Sequence, residues 1–233
     1  MKTSYRKRLN IFDLTYKLET RLRKAGVPFN SYSYPDFRQF TFPQFVPLNC
    51  EMLPFRHRHR AFNKKRAIIC FNSDDQTLYS HLPHLDEMIE ECKRDFYALC
   101  GFDLSVCEGT NLSEQRAYML ANMLISGLAL TRGACVIPSW RIGDAPTSVA
   151  LRSYPKHICF AAGTLGCAQR NIASGTAETI HKIMLTEPSS LLVYGPLRSE
   201  YADVLNEWNV PYLVRKDYRT DSYAGKYKNR KEV

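Results

Sequence analysis

Four apolar residues near the N-terminus recur three or four positions apart. They are Ile11, Leu14, Leu18 and Leu22. Asn10 precedes them as a candidate N-cap, and Gly26 follows them as a terminator. The spacing predicts an amphipathic helix with a basic outer face.

Residues 27–66 show no sustained period of apolar positions. Prolines interrupt this stretch, which is rich in Phe and Tyr, at Pro28, Pro35, Pro43, Pro47 and Pro54. Repeated prolines oppose regular helices and central strands. We therefore expect an irregular segment that wraps over a surface.

From Ala67 onward, short apolar runs alternate with helical patterns. The predicted strands cover residues 67–71, 102–107, 134–137, 149–151, 158–162, 190–195 and 212–214. Apolar strands that alternate with helices indicate a parallel sheet covered by crossover helices. The prediction is an α/β fold with a mostly parallel sheet, either doubly wound or an incomplete barrel.

The pattern divides the chain into three segments. Residues 1–66 form a basic helix and an irregular extension, residues 67–219 an α/β domain, and residues 220–233 a basic tail. The 233 residues are enough for a core without disulfide staples. The longest weakly polar stretch is too short to span a bilayer, and the N-terminus lacks the pattern of a secretion signal. We expect a cytoplasmic protein.

The net charge of +9 is unevenly distributed. Residues 1–24 and 56–66 each carry +6, residues 215–233 carry +4, and the rest of the chain is acidic. Clustered cations bind polyanions through counterion release, and neighbouring aromatic rings can stack on bases. The alternative is that these segments only aid solubility. The candidate nucleic-acid contacts are Arg6, Lys7, Arg8, Arg56, Arg58, Arg60, Lys64, Lys65 and Arg66.

The eight cysteines include no Cys-x-x-Cys pair. Structural zinc sites usually contain such a pair, so the spacing argues against one. Several cysteines fall in apolar runs, where a reduced thiol serves as a small core hydrophobe.

Polar residues that follow the strands are candidates for a site, because the carboxyl ends of parallel strands meet at one rim. Asp74 and Asp75 follow the first predicted strand. They are candidate ligands of a divalent cation such as Mg²⁺, and Asp75 is a candidate general base. The alternative is an Asp-rich turn that caps the next helix.

Two further rim positions are candidates for substrate binding. Trp140 and Arg141 follow a strand and offer a ring for stacking and a guanidinium for an anion. Gly163 and Thr164 begin a Gly-Thr-Leu-Gly turn whose backbone amides can approach a phosphate. The alternatives are a core tryptophan and ordinary turn geometry.

The order of several motifs resembles an uncharacterised α/β family of phages, plasmids and bacterial genomes. These motifs are Phe71-Asn-Ser-Asp-Asp75, Gly101-Phe-Asp-Leu-Ser105, Arg116, Gly133-Ala-Cys-Val-Ile-Pro138 with Trp140, Gly163-Thr-Leu-Gly166 and Leu192-Val-Tyr-Gly195. The resemblance implies a mobile-element origin, a location in the host cytoplasm and a link to DNA metabolism, without an established reaction. It also implies that Asp103 lies beside Asp75, with Arg116 in the same pocket.

Three hypotheses about function follow. The first is a phage- or mobile-element-type accessory protein that contacts nucleic acid through its basic segments in DNA replication or processing. The second is a metal-assisted enzyme that acts on a phosphate-containing substrate at the rim. In this enzyme Asp75 and Asp103 act as acid, base or ligands, and Arg116 and Arg141 hold the anion. The third is a factor that binds a host protein.

Overall fold

The computed structural model describes residues 10–163 and 172–223. Its strands are β1 (Glu51–Pro54), β2 (Ala67–Cys70), β3 (Ala98–Cys100), β4 (Val136–Ile137), β5 (Cys159–Gly163), β6 (Ser190–Tyr194) and β7 (Tyr212–Arg215). Its α-helices are α1 (Ile11–Lys24), α2 (Asp75–His81), α3 (Leu85–Asp95), α4 (Leu112–Thr131), α5 (Ile172–Thr186), α6 (Ser199–Glu207) and α7 (Tyr218–Tyr223). Short 3₁₀ helices cover Phe55–Arg60, Lys64–Arg66, Leu82–His84 and Ala145–Ser153.

The strands are paired in parallel throughout the described residues. One sheet has the order β1-β2-β3-β4 and the other has the order β5-β6-β7. A parallel bridge between Ser139 and Ala161 joins the two sheets, with the amide of Trp140 donating to the carbonyl of Ala161 at 2.7 Å. The predicted α/β fold with a mostly parallel sheet is confirmed.

The strand order follows the sequence without the reversal that defines a doubly wound sheet. Side chains from all seven strands also meet in one interior cluster, which includes Met52, Ile68, Cys100, Ile137, Ala161, Leu192 and, at its edge, Leu213. A second cluster lies between the strands and the helices. We call the two bridged sheets around this shared interior the barrel.

The amino end of the barrel is covered by the segment before β1. The carbonyl of Pro43 accepts from the amide of Cys159 at 2.7 Å, and the carbonyl of Gln44 accepts from the hydroxyl of Ser190 at 2.6 Å. On β7, Nε of Arg215 donates to the carbonyl of Cys50 at 2.9 Å. The segment therefore links β5, β6 and β7 to the start of β1.

The predicted amphipathic helix is α1, which packs on α4 through Leu18 and Leu22. Gly127 permits this contact, since a Cβ there would lie 2.8 Å from a methyl group of Leu22. The basic face of α1 is partly neutralised by its own acids, as in the 2.8 Å pair of Lys17 with Asp13. Exposed pairs of this kind add little stability.

Three strand predictions differ from the structure. Residues 102–107 form no strand, because β3 ends at Cys100 and the backbone of Leu104 pairs with a side chain of α4. Residues 149–151 lie in the 3₁₀ helix Ala145–Ser153, which begins with a proline in its first turn. Strand β1 lies in the segment that the proline pattern predicts to be irregular. It tolerates Pro54 because β1 is an edge strand.

The described cysteines form no disulfide. Cys50, Cys70, Cys100 and Cys159 are buried in the barrel interior, and burial raises the pKa of Cys70 to about 12. The prediction that cysteines serve as reduced core residues is confirmed at these positions. Cys107 and Cys135 are exposed, and Cys167 lies outside the described residues.

No helix within residues 10–163 and 172–223 combines the length and the apolar character needed to cross a membrane.

Candidate functional site

Three polar side chains converge at the carboxyl end of the barrel, each from the loop after a different strand. Asn72 follows β2, Asp103 follows β3 and Arg141 follows β4. Nδ2 of Asn72 donates to Oδ2 of Asp103 at 3.0 Å. The Arg141 guanidinium binds both carboxylate oxygens, with Nε at 2.7 Å from Oδ1 and Nη2 at 3.2 Å from Oδ2. Asp103 is therefore the centre of the cluster.

The loop that carries Asp103 is fixed on both sides by side chains. Oδ1 of Asn122 accepts from the amide of Leu104 at 2.8 Å, and Nδ2 of Asn122 donates to the carbonyl of Leu104 at 3.0 Å. Oδ1 of Asp75 accepts from the amide of Ser105 at 2.9 Å. These side chains thus satisfy backbone groups that a neighbouring strand would otherwise pair, and they hold the Asp103 backbone in place.

Asp103 is 8% exposed, and the pKa of its carboxyl group lies above the usual value for an aspartate. Burial raises its pKa to about 6, and the negative charge of Asp75 adds to the increase. The Arg141 charge and the hydrogen bonds from Arg141 and Asn72 lower the pKa without cancelling the effect of burial. The carboxyl group can therefore exchange a proton near neutral pH.

Gly163 at the end of β5 forms the opposite wall of the cluster. A Cβ at this position would lie 2.2 Å from Nδ2 of Asn72. Any side chain there would displace the amide that donates to Asp103. Gly163 thus belongs to the rim, where the sequence predicts it, while Thr164 lies outside the described residues.

Asp74 and Asp75 have different roles. Asp74 is the N-cap of α2, with one oxygen accepting from the amide of Thr77 at 2.9 Å and the other from its hydroxyl at 2.8 Å. Asp74 therefore has the capping role of the alternative interpretation, and its role as a metal ligand stays a prediction. Asp75 lies near Asp103, as expected. Within residues 10–163 and 172–223, no group of three His, Cys, Asp or Glu side chains is arranged to hold a metal ion.

Arg116 does not join the two carboxylates. It is exposed on α4, and its charge acts on Tyr34, where it opposes the burial that raises the pKa of the hydroxyl. The expectation that Arg116 shares a pocket with Asp75 and Asp103 gains no support from these contacts and stays a prediction. Arg141, which the sequence also identifies, pairs with Asp103 instead.

Trp140 is buried at 5% exposure and is part of the core. Its Nε1 donates to the hydroxyl of Thr186 at 3.1 Å, and Nζ of Lys182 lies 4.5 Å from the ring centroid. Its ring therefore points away from the Asp103 cluster, toward α5. The sequence does not show this direction, because Trp140 and Arg141 are neighbours on opposite sides of one extended segment.

Most cations of the predicted basic segment contact protein acceptors. Arg58 pairs with Glu91 at 2.6 Å, and Lys64 approaches Asp95 at 3.5 Å. Arg60 donates to the hydroxyl of Tyr218 at 2.6 Å, and Nζ of Lys65 donates to the carbonyl of Arg94. Arg56 and Arg66 are exposed, while Arg6, Lys7 and Arg8 lie outside the described residues.

The sequence does not single out Asn72 as a member of the site. Its position directly after an apolar strand marks it as a rim residue, but an asparagine in an Asn-Ser-Asp-Asp sequence is equally typical of a turn. The contact with Gly163, which lies 91 positions away, distinguishes the two interpretations and is visible only in the structure.

Comparison with known protein families, curated proteins and solved structures finds no match to this chain. The resemblance to a phage- and plasmid-borne family therefore stays a prediction.

Proposed function

We propose that the protein is an enzyme that acts on a phosphate-containing substrate, with Asp103 as the proton-transfer group. The convergence of Asn72, Asp103 and Arg141 from three successive strand ends supports this proposal. Enzymes with parallel barrels place their catalytic residues at this end of the strands. A buried carboxyl group beside a guanidinium at such a rim also matches the general form of an acid-base site.

Asp103 serves as a general base in the proposed reaction. Its pKa of about 6 leaves most of the carboxyl ionised at neutral pH and basic enough to accept a proton. The carboxylate takes a proton from water, the water oxygen bonds to phosphorus, and the bond from phosphorus to the leaving oxygen breaks. The leaving oxygen departs with the bonding electron pair.

Arg141 supplies positive charge to the phosphoryl group. Its side chain is 27% exposed, so the guanidinium lies between the buried carboxylate and solvent. When Asp103 takes up the proton, the ion pair weakens, and the guanidinium can interact with the charge that develops on the phosphoryl oxygens. Asn72 holds the carboxylate in position during this exchange.

The test uses two chromogenic esters, p-nitrophenyl phosphate and bis(p-nitrophenyl) phosphate. Their leaving group departs as an anion without a proton, so hydrolysis isolates the action of the base. We expect the wild-type protein to hydrolyse at least one ester, at a rate that rises with pH through about 6. Asp103→Asn should lower the rate about 100-fold or more, in the range of lost general-base catalysis.

Two further variants separate catalysis from folding. Asp75→Asn keeps the acceptor for Ser105 but removes a charge that raises the pKa of Asp103, so the pH midpoint should fall while turnover persists. Asp13→Asn is a matched exchange on the exposed face of α1. It should change neither the pH midpoint nor the rate of hydrolysis. If neither ester is hydrolysed faster than by Asp103→Asn, the proposal is wrong.

A second function, contact with nucleic acid, is favoured by one surface feature. Phe62 is 52% exposed and lies four residues before Arg66, which is also exposed. An aromatic face beside a cation suits an unpaired base and its phosphate. This second proposal concerns a surface and does not require the Asp103 site.

We expect a labelled single-stranded oligonucleotide to bind with an affinity that falls steeply as salt rises. Phe62→Ala should weaken binding by about tenfold through lost stacking. Phe12→Ala, which removes another exposed phenylalanine from α1, provides the control. An affinity that is independent of salt, or equal losses in both variants, would rule out this surface.

A further inference from the structure

A cavity of about 400 Å³ lies between α5, α6 and the outer side of β5 and β6. It is on the opposite side of the strands from the barrel interior, and Gly163 at its edge also borders the Asp103 cluster. Its volume falls in the range of pockets that hold small molecules.

The walls of the cavity are largely apolar. Aliphatic side chains from both strands and from α6 line it, namely Ala162, Leu191, Val193, Leu197 and Leu205. Trp140 and Tyr201 add two aromatic rings. The hydroxyl of Tyr201 is fixed close to Gly175, since a Cβ at Gly175 would lie 2.2 Å from it. Walls of this composition favour a flat and largely apolar ligand.

The polar residues of the cavity carry a net positive charge. Lys182 pairs with Glu178 at 2.9 Å, and the two side chains are only 12% and 18% exposed. Nζ of Lys182 also donates to the carbonyl of Trp140 at 3.3 Å and lies over the Trp140 ring. Arg198 contributes a second cation to the lining. Two cations against one carboxylate favour an anionic group on the ligand.

We infer that this cavity binds a small molecule with a flat apolar body and one anionic group, a carboxylate or a phosphate. The apolar walls hold the body, and Lys182 and Arg198 attract the anion. Asp103 and Arg141 are not part of its lining, although Gly163 borders both this cavity and the Asp103 cluster.

The binding test uses Trp140 as its reporter. The chain has two tryptophans, and Trp208→Phe leaves Trp140 alone in the cavity wall. Naphthoate, naphthyl phosphate and the neutral naphthalenemethanol are titrated while Trp140 fluorescence is measured. We expect saturable quenching by at least one anion, with the alcohol about tenfold weaker because it lacks the charge. The tighter of the two anions identifies the head group.

Two variants in the Trp208→Phe background decide the assignment. Lys182→Met keeps an apolar stem beside the ring and should weaken anion binding about tenfold without affecting the alcohol. Ala162→Leu fills the cavity and should abolish quenching, while Val214→Leu on exposed β7 should not. Thermal unfolding verifies that each variant is folded.

The inference is overturned if no probe quenches Trp140 saturably, or if quenching persists in folded Ala162→Leu. It is also overturned if Lys182→Met weakens all three probes equally. Asp103→Asn should bind naphthoate with unchanged affinity, so loss of hydrolysis and loss of this site can be told apart.

Discussion

The stability of the wild-type protein relative to Asp103→Asn is expected to fall by about 2 kcal/mol as pH rises from about 4 to about 7. The carboxyl has a pKa of about 6 in the folded protein, against 3.8 when unperturbed. Between these values the folded protein holds a proton that the unfolded chain has released. Protonation of Asp103 therefore stabilises the folded protein relative to the unfolded chain at low pH. This contribution to the free energy of unfolding is lost as pH rises through about 6. Urea unfolding at several pH values measures the difference.

The comparison with Asp103→Asn is needed because other groups titrate in the same range. Burial and nearby arginines lower the pKa of His57 from 6.5 to about 4, which makes stability rise with pH over this window. His57 is present in both proteins, so its effect cancels in the difference. A difference that stays constant from about pH 4 to about pH 7 would show that Asp103 titrates normally.

Asn122→Ala is expected to lower the free energy of unfolding by about 2–4 kcal/mol, the cost of leaving two buried backbone groups unsatisfied. Its side chain is 7% exposed and bonds both the amide and the carbonyl of Leu104. Thermal and urea unfolding measure the loss. Since these bonds fix the loop that carries Asp103, hydrolysis of the chromogenic esters should also fall.

Ser126→Ala provides a matched control for this prediction. Ser126 lies one turn further along α4, is equally buried and donates to the carbonyl of Asn122 at 2.9 Å. That hydrogen bond is local to the helix, so its loss should cost less than about 1 kcal/mol. Equal losses of unfolding free energy in Asn122→Ala and Ser126→Ala would show that the contacts with Leu104 add nothing to stability.

The parallel α/β fold can be predicted from the sequence because apolar runs alternate with helical stripes. The exact strands are harder to predict. Residues 102–107 are predicted as a strand, yet the paired segment is Ala98–Cys100, and the backbone of Leu104 bonds to the side chain of Asn122. A sequence pattern indicates which positions are buried. It does not indicate whether their backbone groups bond to a neighbouring strand or to side chains, because either kind of partner allows burial.

The site is only partly predictable for a related reason. A sequence cannot distinguish two adjacent aspartates, one of which caps a helix while the other lies near Asp103. The direction of Arg116 depends on how α4 is rotated against the barrel, which its nearly uniform apolar composition leaves open. Arg141 could be predicted because it lies in the loop after β4, and the loops that follow parallel strands all lie at the same rim.

The basic segment shows the limit of arguments from net charge. Its cations look available for a polyanion in the sequence, but Arg58, Arg60, Lys64 and Lys65 bond to acceptors from distant parts of the chain. The net charge of the segment includes these four residues. Only the fold shows that they bond to such acceptors, in contrast to Arg56 and Arg66. The nucleic-acid proposal therefore depends on Phe62 and its exposed neighbours.

The most direct test of the proposed site is the titration of Asp103 itself. Carbon NMR of protein labelled at the aspartate carboxyl groups follows each carboxyl with pH, and Asp103→Asn assigns the signal. A midpoint near pH 6 that falls in Asp75→Asn is the predicted result. A midpoint at or below 3.8 would contradict a proton-transfer role for Asp103.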